Sequence, residues 1–388
     1  MIPDRVAAAL LSLAAPRCAY VYDTSVAIGT VRAVRACLPP DAGLLFAVKA
    51  NGNPTLAAAL AAEVDGFEVA SGGELALARI ARAGLGRAEQ IVFGGPAKTD
   101  AELAAAVEVD ATVNVESTHE LRRLAVAAET AGVRVRTVLR VNRAHAGLPG
   151  THQMTGAPTP FGIDPADLAD AVEVAHGHPA LRLAGFSLHA VSNNLDAVAH
   201  GAFVTGAVDW ARHVADAYGI DLREINVGGG FGVDYVGDAR FDLDKLRATL
   251  PGDAPLVFEL GRYLAAPAGW YAAQVLDLKR NHGRWFAVLR GGTHHFRLPA
   301  AWRYSHPFEV LPVEQWPHPY PRPEVRDVTV DAVGELCTPR DVLTRDQPVD
   351  RLRVGDVLVF GNAGGYGWEI SHHDFLRHQH PQVLLVRT

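Results

Sequence analysis

Cysteine is scarce in this 388-residue sequence, which has only Cys18, Cys37 and Cys337. Their odd number and wide spacing offer no disulfide framework. No apolar run approaches the roughly 20 residues of a membrane-spanning helix, so we expect no membrane partner. A net charge of −7 argues against nucleic acid and anionic lipid as partners. The N-terminal apolar stretch is short and carries an early acid and arginine, which favours an amphipathic helix over a signal peptide. We therefore expect a cytoplasmic protein.

Apolar, β-prone runs alternate with helical patterns through the first two thirds of the chain. Counted from Phe46, they predict eight strands over roughly 220 residues, which favours a parallel (β/α)8 TIM barrel over a doubly wound sheet. Beyond residue 264 no long amphipathic helix is predicted, and the strand-like runs there are Tyr271–Lys279, Trp285–Arg290, Val328–Val333, Arg353–Phe360 and Val383–Val386. These runs predict a second, mainly β domain.

Three regions follow from this pattern. Residues 1–24 are predicted to form a helix and a strand that pack with the C-terminal β domain. Residues 25–264 are predicted to form the barrel, and residues 265–388 the β domain.

The segment Phe46-Ala47-Val48-Lys49-Ala50-Asn51 is an apolar strand with one lysine near its end. A lysine inside a buried strand is costly unless it is neutralised or bonded. One established use of such a lysine is a Schiff base to pyridoxal 5′-phosphate (PLP). The alternative is a strand-end lysine that reaches solvent. The residues at the other strand ends distinguish the two interpretations.

Polar residues collect at the predicted carboxyl ends of the strands, where a barrel carries its chemistry. They are Glu68, Arg140, His189, Ser192, Gly229, Gly230, Glu259 and Arg262. Backbone N–H groups of a glycine loop suit a phosphate, and Ser192 and Arg262 add donors. Glu259 against a pyridine nitrogen would keep that nitrogen protonated, as an electron sink requires. Each residue alone also has a structural alternative, such as a Glu68–Arg140 ion pair, but the set predicts PLP. The GxGxxG fingerprint of a dinucleotide site is absent after the first strand.

Several segments together resemble the fold-type III PLP-dependent decarboxylases, the family of the ornithine, arginine and diaminopimelate decarboxylases. The matching segments are FAVKAN (46–51), FEVASGGEL (67–75), LRVN (139–142), HAVS (189–192), VGGGFG (227–232), ELGRYL (259–264), GELC (334–337) and NAGGYG (362–367). The resemblance covers nearly the whole chain. It implies an α/β fold, with a PLP-binding TIM barrel of the alanine-racemase type followed by a C-terminal β-sandwich or β-barrel domain. It also implies a homodimer with shared active sites.

The resemblance further implies roles for individual residues. Lys49 is the Schiff-base lysine, His189 stacks on the ring, and Glu259 pairs with the pyridine nitrogen. Cys337 crosses the dimer interface and donates the proton to Cα, a role that suits a thiol. The other implied cofactor contacts are Glu68, Arg140, Ser192, Gly229, Gly230, Arg262 and Tyr366.

The implied activity is α-decarboxylation of an L-amino acid or an amino-acid conjugate. Diaminopimelate decarboxylases carry an acidic residue directly after the cysteine, whereas Thr338 stands there in this sequence. In segments 192–196, 294–307 and 370–376 the chain more closely resembles the siderophore-biosynthesis branch, whose members act on citryl-diaminopropionate or O-citryl-serine. A citryl group brings carboxylates that need basic donors. We expect those donors to come from Arg297, Arg303, His295, His372 and Arg340.

Other interpretations remain open at this point. One is a decarboxylase of a free diamino acid, of the diaminopimelate or ornithine type. Another is an amino-acid racemase, against which Glu259 argues because alanine racemases place an arginine at the pyridine nitrogen. A third is a regulatory homologue without catalysis. The histidine-rich segment 372–380 could be a surface loop or a metal site, but its spacing fits no zinc signature and we expect no metal.

Overall fold

The computed structural model describes residues 1–82, 90–144 and 147–387. They form two compact units. The barrel unit comprises Ile28–Val233 and Ala239–Leu264, and the sheet unit comprises Met1–Ala27, Asp234–Asp238 and Ala265–Thr388. The short segment Asp234–Asp238 thus leaves the barrel unit, which the sequence pattern does not anticipate. Among the described residues, no helix is long and apolar enough to cross a membrane.

A closed barrel of eight parallel strands forms the centre of the barrel unit as far as the structure describes it, which confirms the predicted fold class. The strands are Gly43–Ala47, Gly66–Val69, Gln90–Phe93, Thr112–Val115, Val135–Arg140, Leu181–Ser187, Glu224–Gly228 and Leu256–Leu260. The eighth strand closes the barrel by pairing with the first, with Glu259 opposite Leu45. Because all strands are parallel, the residues that follow them meet at one rim.

Helices connect the barrel strands and bury an apolar face. Their bounds are Thr24–Cys37, Pro54–Ala61, Gly72–Arg82, Asp100–Glu108, Thr118–Ala131, Leu168–Gly177, Ala197–Tyr218, Leu243–Arg247 and Arg262–Ala265. Local sequence sets several of their ends. Thr99 and Glu102 form a reciprocal capping box at the start of one helix, and Gly132, with a φ of 69°, ends another.

The sheet unit is built on a sheet with eight strands within the described residues. They are Cys18–Asp23, Gly269–Asn281, Arg284–Leu289, Glu309–Leu311, Glu324–Val333, Val342–Arg353, Val357–Phe360 and Gln382–Val386. Cys18–Asp23 pairs antiparallel with Gly269–Asn281 and parallel with Gln382–Val386. The unit also contains the helices Asp4–Leu11 and Leu298–Trp302. Val6 and Leu10 of the first helix pack into an apolar cluster with residues of this sheet.

Candidate active site

Lys49 lies on a single 3₁₀ turn, Val48–Ala50, directly after the first barrel strand. The sequence pattern places it inside that strand, but the strand ends at Ala47, which pairs with Glu68. Glu68 is buried and accepts hydrogen bonds from Lys49 Nζ at 2.8 and 2.7 Å. The lysine side chain keeps 43% of its surface exposed. The amine is therefore ion-paired and still open to reaction.

Glu259 projects from the eighth strand and has an unusual ionisation. Burial, and then the negative charge of Glu68, raise the pKa of Glu259 to about 7, although Lys49 acts in the opposite direction. Asn226 Nδ2 donates to Glu259 Oε1 at 2.6 Å, and Asn114 Nδ2 donates to the same oxygen at 3.3 Å. A cation that lies against Glu259 would therefore stabilise its ionised form.

Arg140 ends the fifth strand and is held by Glu116, a residue outside the matching sequence segments. Its Nη1 donates to Glu116 Oε1 at 2.8 Å, and Glu116 Oε2 accepts from the Gly162 backbone N–H at 2.9 Å. The Arg140 guanidinium also lies 4.8 Å from the centre of the Phe161 ring. Arg140 thus pairs with Glu116, and Glu68 pairs with Lys49, instead of with each other.

His189 follows the sixth strand and contacts the glycine loop. The Gly229 N–H donates to His189 Nδ1 at 3.2 Å. Burial, followed by the charges of Arg140 and Lys49, lowers the pKa of His189 well below its usual value, so the ring is neutral. Gly228 has a φ of +69°, and a Cβ there would lie 2.2 Å from His189 Nδ1. Only glycine lets the loop pass this close to the imidazole.

Four of the five residues predicted to contact phosphate, all except Tyr366, also come together in the barrel unit. Arg262 is buried, and its Nη2 donates to Ser192 Oγ at 3.2 Å. A Cβ on Gly230 would meet the Val191 carbonyl oxygen at 2.7 Å, and one on Gly229 would meet the Glu259 carbonyl oxygen at 2.3 Å. The loop is therefore packed directly against the segment that carries Ser192.

Comparison with protein families decides what this arrangement belongs to. The pyridoxal-binding domain of the pyridoxal-dependent decarboxylases matches residues 28–266, which is more than half of the chain. The chain belongs to the pyridoxal-dependent decarboxylase family. It is a PLP-dependent carboxy-lyase, as the sequence predicts, and its substrate is a small molecule of the amino-acid type.

Individual relatives extend the match over nearly the whole decarboxylase. It is 38% identical to a 2-((L-alanin-3-ylcarbamoyl)methyl)-2-hydroxybutanedioate decarboxylase of Staphylococcus aureus, over 96% of this chain and 94% of the relative. It is 32% identical to an L-glutamyl acyl-carrier-protein decarboxylase of Niallia circulans, over 95% of this chain and 88% of the relative. Among solved structures, a diaminopimelate decarboxylase variant of Helicobacter pylori complexed with L-lysine has a TM-score of 0.83 and 25% identity, covering 95% and 91%.

The barrel unit of this decarboxylase fits PLP on its own chemistry. Lys49 supplies an exposed amine. Glu259 supplies a carboxyl group with a raised pKa, whose ionised form a pyridinium would stabilise. Gly229 and Gly230 leave no room for a Cβ, and buried Arg262 provides a positive charge beside Ser192. These are the groups that an aldehyde, a ring nitrogen and a phosphate need.

The remaining predicted residues belong to the sheet unit. Cys337 is exposed, in a turn formed by residues 334–341. Tyr366 has a φ of +59°, and its ring centre lies 6.0 Å from that of Trp302. Of the other predicted residues of this unit, Arg297, Arg303 and Arg340 are exposed, whereas His372 is half-buried.

His295 does not fit its predicted role as a basic donor to the substrate. Its side chain is fully buried in the sheet unit, where Nδ1 lies 3.5 Å from Cys18 Sγ and the backbone carbonyl accepts from Tyr20 OH at 2.8 Å. Burial, and then the neighbouring His294, lower the pKa of His295 to about 2. The ring is therefore a neutral part of the core, and this prediction is corrected.

The histidines of segment 372–380 make protein contacts of their own. His373 Nε2 lies 2.7 Å from the Trp368 carbonyl oxygen, and the two rings stack at 3.6 Å. His380 Nε2 lies 3.3 Å from Asp374 Oδ1. Within the described ranges no group of three or more metal-ligating side chains occurs.

Proposed function

We propose that this decarboxylase removes the α-carboxylate of an L-amino acid joined through an amide to a hydroxy-polycarboxylate, of the citryl-diaminopropionate type, in siderophore biosynthesis. The name of the Staphylococcus relative describes such a conjugate. The observation that carries the proposal is that exposed Arg297 and the imidazole of His372 lie on two segments of the sheet unit that a hydrogen bond joins. Burial, and then the charge of Arg297, lower the pKa of His372, so this imidazole is a neutral hydrogen-bonding group. The Arg297 N–H also donates to Ser371 Oγ at 2.9 Å.

The residue after Cys337 supports the same substrate class. A free diamino acid presents a distal ammonium, which calls for a carboxylate. Thr338 takes that position, and Arg340 follows two residues later, its N–H donating to Thr338 Oγ1 at 3.3 Å. Arg303 and Arg340 are further donors that we assign to the distal carboxylates, because guanidinium groups match carboxylates in geometry and charge.

We assign the cofactor contacts as follows. Lys49 holds PLP covalently, with Glu68 positioning its amine, and Glu259 keeps the ring nitrogen protonated. His189 lies on the ring face, and Arg140 lies near the ring and the lysine. When bound, PLP accepts the electron pair left at Cα as carbon dioxide leaves. Cys337 then donates a proton to Cα. The phosphate ligands in this proposal are Ser192, Gly229, Gly230, Arg262 and Tyr366.

The substrate assignment is tested with a matched pair of amides of L-2,3-diaminopropionate. One carries a 2-hydroxytricarboxylate on the distal nitrogen, and the other carries an acetyl group. We expect kcat/KM at least a hundredfold higher for the first, measured as amine product. Arg297→Gln should lower that ratio about tenfold, the effect of losing one charge-assisted hydrogen bond worth roughly 1.5 kcal/mol. Arg345→Gln, an exposed arginine of the same unit, serves as the control.

Two outcomes would contradict the proposal. Faster turnover of free diaminopimelate or ornithine than of either amide would assign the chain to a diamino-acid substrate. Label retained in the α-carboxylate of a substrate whose chirality scrambles would indicate a racemase.

The Schiff-base assignment is tested by Lys49→Ala. The variant should lose covalent attachment of PLP after borohydride reduction, together with turnover. Lys279→Ala, an exposed lysine of the sheet unit, should retain both. Decarboxylation at the wild-type rate by Lys49→Ala would overturn the assignment of Lys49.

We further propose a homodimer in which Cys337 serves the active site of the partner. Lys49→Ala and Cys337→Ala homodimers should each be nearly inactive. Random exchange of subunits yields one site with both residues intact in each mixed dimer, so about a quarter of the wild-type activity should return. No recovery, with exchange verified by mass spectrometry, would place both residues in one chain's site.

A further inference from the structure

The turn that carries Cys337, residues 334–341, is held to the loop Gly291–Thr293 by a buried carboxylate. Asp341 is only 2% exposed, whereas Cys337 in the same turn is exposed. Asp341 Oδ2 accepts from the Leu336 N–H at 2.9 Å, and Oδ1 accepts from the Thr293 N–H at 2.6 Å. One side chain thus fixes the peptide between Glu335 and Leu336, one residue before Cys337.

The backbone of both segments is shaped around this carboxylate. Gly292 has a φ of +157°, and a Cβ there would lie 2.5 Å from Asp341 Oδ2. A Cβ on Gly334 would lie 2.1 Å from the same oxygen and 2.5 Å from the Gly292 Cα. The Gly334 N–H also donates to the Asp341 carbonyl oxygen at 2.9 Å. No larger residue fits at either glycine, so the space is reserved for the carboxylate.

The chemistry of the two bonds requires a carboxylate and not an amide. Both partners are backbone N–H donors, and an ionised Asp offers an acceptor to each. An Asn side chain offers one oxygen, and its amino group would face the second N–H donor to donor. A neighbouring acid supports the same region, since Glu335 Oε1 accepts from the Gly291 N–H at 3.0 Å and pairs with Arg290.

We infer that Asp341 is a positioning residue for Cys337: by binding the Leu336 and Thr293 N–H groups, it sets where the thiol is presented for proton transfer to Cα. The inference deepens the proposed function, because it rests on Cys337 being the proton donor. It adds a residue that acts through the backbone of the turn.

The test compares Asp341→Asn with Asp356→Asn. Asp356 is a matched control because it is also 2% exposed and also accepts from two backbone N–H groups, those of Val313 and Arg353, each at 2.9 Å. It lies in the same unit but outside the Cys337 turn. Asp356 also pairs with the guanidinium groups of Arg322 and Arg353, so Asp356→Asn should lose at least as much stability as Asp341→Asn. Only Asp341→Asn should alter the alkylation rate of the Cys337 thiol.

The first readout is alkylation of Cys337 by iodoacetamide, followed by peptide mass spectrometry in protein with and without PLP. Buried Cys18 and Cys37 are internal references. We expect the limiting rate at high pH to rise at least fivefold in Asp341→Asn and to stay within twofold in Asp356→Asn. An equal change in both variants would make Asp341 a structural residue and overturn the inference. A parallel shift of the pH profile without a higher limiting rate would also overturn it, because that indicates charge alone.

The second readout follows where the proton goes during turnover. If Cα is not protonated in time, a solvent proton adds to the C4′ carbon of the cofactor, and hydrolysis with one water gives an aldehyde and pyridoxamine phosphate instead of amine and PLP. We expect this fraction to rise at least tenfold in Asp341→Asn and in Cys337→Ala, but not in Asp356→Asn. An increase in Cys337→Ala alone would overturn the role of Asp341. No increase in Cys337→Ala would instead refute the proton-donor assignment, while the alkylation result still decides whether Asp341 places the thiol.

A measurement on the wild-type protein covers the case in which Asp341→Asn does not fold. The Leu336 amide should exchange its hydrogen at least a hundredfold more slowly than an unprotected amide, although the next residue is exposed. Exchange at the unprotected rate would show that the bond to Asp341 does not hold the turn, and would overturn the inference.

Discussion

Glu259→Gln should stabilise the cofactor-free protein, and more so as the pH rises. The raised pKa of Glu259 means that the folded chain binds this proton more tightly than the unfolded chain. The stability linked to it is fully present below the unfolded-state pKa near 4.5 and is lost as the pH rises towards 7. Glutamine cannot ionise and can still accept from Asn226. The variant therefore avoids a cost that wild type has at pH 8.

The size of this effect follows from the two pKa values. A change from 4.5 to about 7 corresponds to roughly 3 kcal/mol at full ionisation. The residue retains some solvent exposure, so we take about 2 kcal/mol for the difference between pH 5 and pH 8. For a unit of this size that is about 4 to 8 °C in the unfolding midpoint.

Thermal unfolding of the PLP-free protein between pH 5 and pH 8 measures the difference between Glu259→Gln and wild type. Glu102→Gln is the control, because hydrogen bonds from Thr99 and then Gly72 lower the pKa of Glu102. Stability linked to Glu102 is lost only as the pH falls below about 4.5, so its effect should stay constant over this range. A Glu259→Gln difference that is also constant would refute the reasoning. Saturating PLP should reverse the order, because the neutral amide of the variant cannot form an ion pair with a pyridinium.

The remaining predictions concern the surroundings of the cofactor. Glu116→Gln removes the charge that holds Arg140, so we expect kcat to fall about tenfold, with PLP affinity by fluorescence titration within threefold of wild type; an unchanged kcat would contradict this. Gly228→Ala should weaken PLP binding at least tenfold, because its Cβ would collide with His189 and the left-handed backbone adds about 1 kcal/mol. Gly252→Ala, where a Cβ meets nothing within 4 Å, should bind PLP normally.

The barrel was predictable from sequence because its strands are short apolar runs separated by helical patterns. The exact position of Lys49 was not predictable from sequence. The turn Val48–Ala50 contains neither glycine nor proline, the residues that usually mark a turn. The strand stops where its pairing with the neighbouring strand stops, at Ala47 and Glu68. That is a long-range property, which a local pattern does not contain.

The residues that support the site were harder to find than those that form it. Asn114 and Asn226 bond Glu259 from far along the chain, and no motif names them. One signal was available, since each is a polar residue within an apolar strand and is buried in the structure. Such a residue needs a bonding partner. The prediction for His295 was wrong because the sequence around a basic residue does not show whether its side chain is buried.

Strands of the sheet unit were missed where charge masks them. Val342–Arg353 mixes buried and exposed positions without a regular alternation, and its many charged residues hide the strand from a sequence pattern. The predicted strand Arg353–Phe360 includes only the last residue of strand Val342–Arg353, then a turn, and then the whole of strand Val357–Phe360. Between the crowded prolines, Glu309–Leu311 has only three residues, too few for a period of two to be recognised.

The placement of strand Cys18–Asp23 has a consequence for synthesis on the ribosome. Its two partners are Gly269–Asn281 and Gln382–Val386, so the second is made about 360 residues later, or roughly 20 to 70 s at ordinary elongation rates. Until Gly269–Asn281 has been made, this apolar segment has no partner strand of its sheet, whereas all the barrel strands, Gly43–Ala47 to Leu256–Leu260, have been made by then. The edge that later pairs with Gln382–Val386 stays open to other nascent chains for the whole of the longer interval.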